Sequence, residues 1–190
     1  MKHLLCILLF SLFSLTSMSS DNGHMVFMGI PISGSSVYFI KQLEDKGFVK
    51  TNEFESSYKF IGKFANEIVQ LTLLASPRTL TVCKVIVCFP EKDSWIELKQ
   101  DYFKKKKLYR SKYLLTEAFE FFSSPYEDGD GYELKAVAAN KCSYASFFSE
   151  IGGHIGVQIS PDKCVKVTYE DDENMKVAKS ELEFNAFEDI

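Results

Sequence analysis

The runs Tyr58-Lys59-Phe60-Ile61-Gly62-Lys63-Phe64 and Val69-Gln70-Leu71-Thr72-Leu73-Leu74-Ala75 decide the fold class. In the first, Tyr58, Phe60, Gly62 and Phe64 recur at every second position. In the second, Val69, Leu71, Leu73 and Ala75 do the same. A period of two is the signature of strands with one face buried. Ser76-Pro77-Arg78 supplies a turn, and Thr81 to Phe89 continues as a longer β-branched run closed by Pro90.

Toward the N-terminus, the apolar run Met25 to Ile32 predicts a first strand. Ser35 is placed to cap a helix that runs to Lys46, with Val37, Ile40 and Leu43 at helical spacing and Gly47 ending it. Toward the C-terminus, Ser94 caps a second helix, with Glu97 as its reciprocal partner. Trp95, Leu98, Tyr102, Tyr109 and Tyr113 sketch an apolar stripe, and Trp95 is expected in the core. Ser123-Ser124-Pro125 breaks that pattern. Tyr132, Leu134, Ala136 and Ala138 alternate as a strand; Tyr144–Ile151 and His154–Ile159 flank Gly152-Gly153 as a hairpin; Val165, Val167 and Tyr169 give a last strand. The segment 171–190 reads as an acidic tail, mobile or loosely docked, with a weak helical stretch over Val177–Leu182.

Helix then three strands, followed by helix then about four strands, predicts an α+β fold built from duplicated α-β-β-β units. Two helices would pack on one face of an antiparallel sheet. The expected division is a single α+β domain over 20–170, with repeats over 25–90 and 91–170.

Residues 1–19 read as a signal peptide: Lys2 precedes the apolar run Leu4–Leu15, and small residues lead to cleavage after Ser19. The run is shorter than the roughly 20 residues that span a bilayer, so no transmembrane segment is expected after cleavage. The chain is therefore expected to be exported, periplasmic or secreted. Cys6 lies inside the apolar run, which argues against a lipid anchor. The remaining length suffices for one sizeable core, and 17 Phe and 9 Tyr argue against disorder. A net charge of −4 makes a poor nucleic-acid binder, so no nucleic-acid partner is expected.

Cys83, Cys88, Cys142 and Cys164 permit disulfides in an exported chain. Cys83 and Cys88 at odd spacing on one strand face opposite ways, so partners would come from the C-terminal half. Four buried free thiols are the equal alternative.

Several segments carry a resemblance: Phe27-Met28-Gly29-Ile30-Pro31-Ile32-Ser33-Gly34, Lys46-Gly47-Phe48, Phe89-Pro90-Glu91 before Ser94-Trp95, Asp101-Tyr102-Phe103, Asp128–Glu133 and Tyr169-Glu170-Asp171. Together they resemble a group of uncharacterised exported proteins of Bacteroides-type gut bacteria. That resemblance implies export and one domain, and no mechanism. In element order the chain also resembles the beta-lactamase-inhibitor-protein fold and small outer-membrane assembly lipoproteins, which implies binding to another protein. The absence of a lipobox departs from the latter group.

Candidate chemistry is sparse. Lys104, Lys105, Lys106 and Lys107, with Arg110, form a basic segment that could dock an anionic partner. Its plainer reading is a solvated helix face. Asp128, Asp130 and Glu133 could supply oxygens to a hard cation, although the full calcium-loop pattern is missing. A polar turn is the plainer reading there too. Glu170-Asp171-Asp172-Glu173 reads as a solvated strand exit. His154 has no nucleophile motif around it. No catalytic residue and no cofactor is expected. The leading expectation is a non-enzymatic exported module that binds another envelope or extracellular protein, using the sheet face opposite the helices. The alternatives are an envelope hydrolase using His154 with carboxylates of the Asp128–Glu133 turn, and a metal-stabilised structural module.

Overall fold

The computed structural model describes residues 23–188. The signal-peptide segment 1–19 lies outside the described residues. The elements run β1 (Val26–Phe27), β2 (Ile30–Pro31), α1 (Ser36–Asp45), β3 (Val49–Phe54), β4 (Ser57–Phe64), β5 (Glu67–Ala75), β6 (Val82–Cys88) and α2 (Trp95–Arg110). They continue with β7 (Leu114–Phe122), α3 (Glu133–Ala138), β8 (Cys142–Glu150), β9 (Gly153–Ser160), β10 (Cys164–Asp171) and α4 (Asp172–Glu188). No described helix is long and apolar enough to cross a membrane.

The fold is mixed helix and strand. Eight strands form one antiparallel sheet in the order β3-β4-β5-β6-β10-β9-β8-β7, and β1 and β2 form a separate two-stranded ribbon. Two four-stranded meanders therefore meet at a single seam, where β6 pairs with β10. Four strands follow α1, one more than expected, and four follow α2, where β7 stands in place of the strand expected over Tyr132–Ala138. The strands not expected are the two edges, β3 and β7, whose side chains are nearly all exposed. An edge strand with little buried surface lacks the apolar alternation that reveals central strands.

Local sequence explains most elements. The Ser35 hydroxyl accepts from the Val37 amide to start α1, and Gly47, at φ +87, follows its end. The buried face of α1 is Ser36, Phe39 and Leu43, whereas Val37 stands in solvent. The predicted stripe was rotated because the larger Phe39 takes the core position. Fully burying a residue such as Phe39 or Leu43 stabilises the fold by about 1.5–3 kcal/mol. The Ser94 hydroxyl caps α2 by accepting from the Glu97 amide. Leu98, Tyr102 and Tyr109 face inward as expected, but the helix ends at Arg110. Tyr113 lies beyond it and stacks on Tyr109.

Three further expectations are corrected. Met25–Ile32 is not one strand: Met28 and Gly29 take positive φ and fold it into the β1–β2 ribbon. Tyr132–Ala138 is not a strand but contains the short helix α3, which buries Glu133, Ala136 and Val137 at helical spacing. Alternating apolar residues over so short a run fit either period. The acidic segment 171–190 begins with Asp171, fully buried, and continues as α4, seated by buried Asn174 and Ala178. Asn174 donates to the Ile32 carbonyl, and Glu181 accepts from the Arg78 and Thr79 amides.

The core lies on one side of the large sheet. Tyr58, Phe60, Leu71, Leu73, Val85, Val87, Val167, Tyr169, Val157 and Phe148 share that face by register and are buried. Three hydroxyl contacts tie helices to it: Ser36 with Tyr58 at 3.2 Å, Tyr102 with Ser146 at 2.6 Å, and Tyr109 with Tyr169. Gly62 is required here, because a Cβ would lie 2.4 Å from the Phe48 ring.

Candidate binding face

The opposite face of the sheet carries three unbroken rows of side chains, each crossing all eight strands. One row is Val49, Ile61, Gln70, Cys88, Lys166, Gln158, Ala145 and Phe119. The next is Asn52, Lys59, Thr72, Ile86, Thr168, Gly156, Phe147 and Glu117. The third is Phe54, Ser57, Leu74, Lys84, Glu170, His154, Ser149 and Leu114. Of these residues only Gly156 is buried, with the Phe147 ring of the neighbouring strand beside it. With strands about 4.8 Å apart, the face is about 34 Å wide.

Its chemistry is segregated. Val49, Phe54, Ile61 and Ile68 are exposed apolar residues on the β3–β5 flank. Leu114, Phe119 and Phe121 are their counterparts on β7, with Phe119 edge-on to Phe147. Between the flanks lies a polar centre. There Lys84 and Glu170 pair at 2.6 Å, and His154 reaches Glu170 at 3.2 Å and Asp172 at 3.0 Å. Lys166 holds Asp162 at 2.5 Å, which lowers the Asp162 carboxyl below its ordinary range. A depression of about 440 Å³ opens beside Lys59, Gln70, Cys88 and Lys166.

The sequence-predicted sites fare differently. Lys105 is buried, contacts Asp101 at 2.5 Å and Glu67 at 3.1 Å, and lies over the Phe89 ring. Lys106 pairs with Glu120 at 2.5 Å. Only Lys104, Lys107 and Arg110 of that segment are exposed or half-buried without an ion pair among the described residues. The basic run is therefore not a continuous docking patch, because a helix distributes consecutive residues around its circumference.

The three carboxylates of the polar turn serve the fold. Asp128 accepts from the Trp95 indole at 3.0 Å and from Lys99 at 2.5 Å; Lys99 first, then Trp95, hold its carboxyl below the ordinary range. Asp130 accepts from the Glu127 and Tyr132 amides, and Glu133 from the Gly129 amide. Among the described residues no group of three or more metal-ligating side chains gathers. Nor does His154 meet this turn. Asp128 bonds Trp95, whose ring packs on Tyr144 on the core face, while His154 stands on the opposite face of the sheet.

In the Glu170–Glu173 segment Asp172 and Glu173 are exposed, as a solvated exit implies, but Asp171 is buried. Asp171 accepts from His24 and from the Met25 amide, both at 2.9 Å, and caps α4 through the Asn174 amide. A second concavity, about 670 Å³, lies between the β1–β2 ribbon and the end of α2, lined by Val26, Phe64, Tyr109, Tyr113 and Tyr169. Burial pushes the Tyr109 and Tyr169 phenols up, and they bond each other. The polar groups at its rim are engaged within the fold: His24 with Asp171, Lys112 over Tyr113, and Glu150 with the Ile151 amide.

Sequence reading missed the exposed apolar residues of the open face. Their signal is an apolar residue in the wrong phase of an alternating strand, as Ile61 is between Phe60 and Gly62. No protein-family model matches the chain, and no curated protein or solved structure matches it.

Proposed function

We propose that this chain is an exported, non-enzymatic module that docks another envelope or extracellular protein on the open face of its sheet. The single observation that carries this is the placement of exposed apolar side chains. Val49, Phe54, Ile61, Ile68, Leu114, Phe119 and Phe121 all lie on that face. Exposed apolar side chains gathered on one face and rimmed by polar residues are the mark of an interaction surface.

The occupant's chemistry follows from the layout. Two apolar flanks separated by a hydrogen-bonding centre suit a folded protein, which can present apolar and polar groups at fixed spacing. Three rows of eight residues match the 20–30 residues a standard interface uses on each side. A lipid surface would have to strip water from the central Lys84–Glu170 pair, and a small molecule could not touch both flanks. The tandem order of helix and four-stranded meander supports a duplicated unit, with α1 and α2 packed on the core face and the other face left open. In element order the chain resembles the beta-lactamase-inhibitor-protein fold, and that resemblance favours a protein partner.

The experiment substitutes one flank at a time. Ile61→Asp and Phe119→Asp should each lower partner capture at least tenfold while far-UV circular dichroism stays unchanged. Lys104→Gln with Lys107→Gln should leave capture intact. Capture that survives both aspartate variants and fails in the lysine variant would overturn the reading.

A further inference from the structure

We propose that Cys88 and Cys164 form an intramolecular disulfide that staples β6 to β10 across the seam of the sheet. Topology leaves this pair alone among the four cysteines of the described residues. Cys83 lies in phase with Val85 and Val87 on the core face, where its thiol donates to the Leu74 carbonyl. Cys142 opens β8, two strands away from β10. Cys88 and Cys164 share the open face of adjacent strands: Cys88 pairs with Lys166, and Cys164 is two residues further along the same strand. Each thiol is the strongest single influence on the other's ionisation.

A diagonal pair in a sheet interior sits slightly too far apart for easy bridging. These two are strand ends, Cys88 the last residue of β6 and Cys164 the first of β10. Closing the gap asks for a small shift at these ends, where the Phe89 amide donates to the Val165 carbonyl between the two cysteines. Access is also provided, since both line a concavity with Gln70, Pro90, Glu91 and Asp162.

The chemistry is thiol–disulfide exchange with a small-molecule or protein disulfide of an oxidising compartment. The Cys88 thiolate attacks one sulfur of the oxidant and expels a thiolate, leaving a mixed disulfide. The Cys164 sulfur, after losing its proton to solvent, attacks the Cys88 sulfur and expels the second thiolate. The protein loses two electrons and two protons, and the oxidant disulfide is reduced to two thiols. The order follows from contact with Cys164, which lowers the Cys88 thiol to about 7 against the opposing effect of burial.

The test oxidises the reduced protein with oxidised glutathione, blocks free thiols with iodoacetamide and maps peptides by mass spectrometry. The expected product is one Cys88–Cys164 linked pair with Cys83 and Cys142 alkylated after unfolding, and a Tm rise of about 5–10 °C over the reduced form. Cys164→Ala should instead accumulate a glutathione adduct on Cys88. A Cys83–Cys142 link, or a stable glutathione adduct on wild-type Cys88 with no linked pair, would overturn the proposal.

Discussion

Lys84 on β6 and Glu170 on β10 face each other directly across the seam of the sheet, with Nζ and carboxylate 2.6 Å apart and each side chain about one-fifth exposed (21% and 20%). They sit in the row that also holds His154, so the centre of the open face is organised around one carboxylate with two cationic or polar neighbours. Among the described residues, the only strand pairing between the two meanders carries this pair. Lys84→Met should destabilise the protein by about 1 kcal/mol, because a partly shielded Glu170 loses its principal partner. Urea unfolding monitored by circular dichroism reads this directly. An unchanged midpoint would mean that His154 and solvent compensate fully.

The phenol pair behind the sheet gives a sharper cycle. Tyr109→Phe or Tyr169→Phe alone leaves a buried hydroxyl without its partner and should cost about 1–3 kcal/mol. The double Phe variant should recover most of that loss, since no polar group is then stranded. Additive losses in the double variant would show that each hydroxyl acts independently.

The lysine run separates in the same way. Lys105→Ala strands the buried Asp101 carboxylate and should cost about 3–5 kcal/mol. Lys104→Ala and Lys107→Ala should each stay within about 0.5 kcal/mol. Thermal unfolding of the three variants distinguishes a buried ion cluster from a uniform basic surface.

Much of this arrangement was legible in the sequence. The central strands and both main helix starts follow from alternation and from Ser35 and Ser94 as caps. The edges did not, because Val49–Phe54 and Leu114–Phe122 bury almost nothing. Lys105 and Asp171 were hidden for another reason: adjacent residues in a charge run look alike, and only tertiary packing selects which one enters the core. The open face is similar, since Ile61 and Phe119 become one surface through pairings between strands far apart in sequence.

Thiol reactivity should follow position. In the reduced, folded protein, iodoacetamide should label Cys88 first, with a rate that climbs as pH rises through about 7. Cys83 and Cys142, which burial pushes up to about 11, should stay unlabelled until the protein unfolds. Peptide mapping over a pH series measures this. Faster labelling of Cys83 or Cys142 would contradict the placement of Cys88 at the exposed seam.

The most direct test of docking places a photo-crosslinking residue, benzoylphenylalanine, at Ile61, at Phe119 and, as a helix-side control, at Lys107. Docking on the open face predicts that Ile61 and Phe119 both cross-link to the same protein, that unlabelled wild-type chain competes this away, and that Lys107 does not cross-link to it. Cross-linking confined to Lys107, or different proteins at the two flanks, would contradict it.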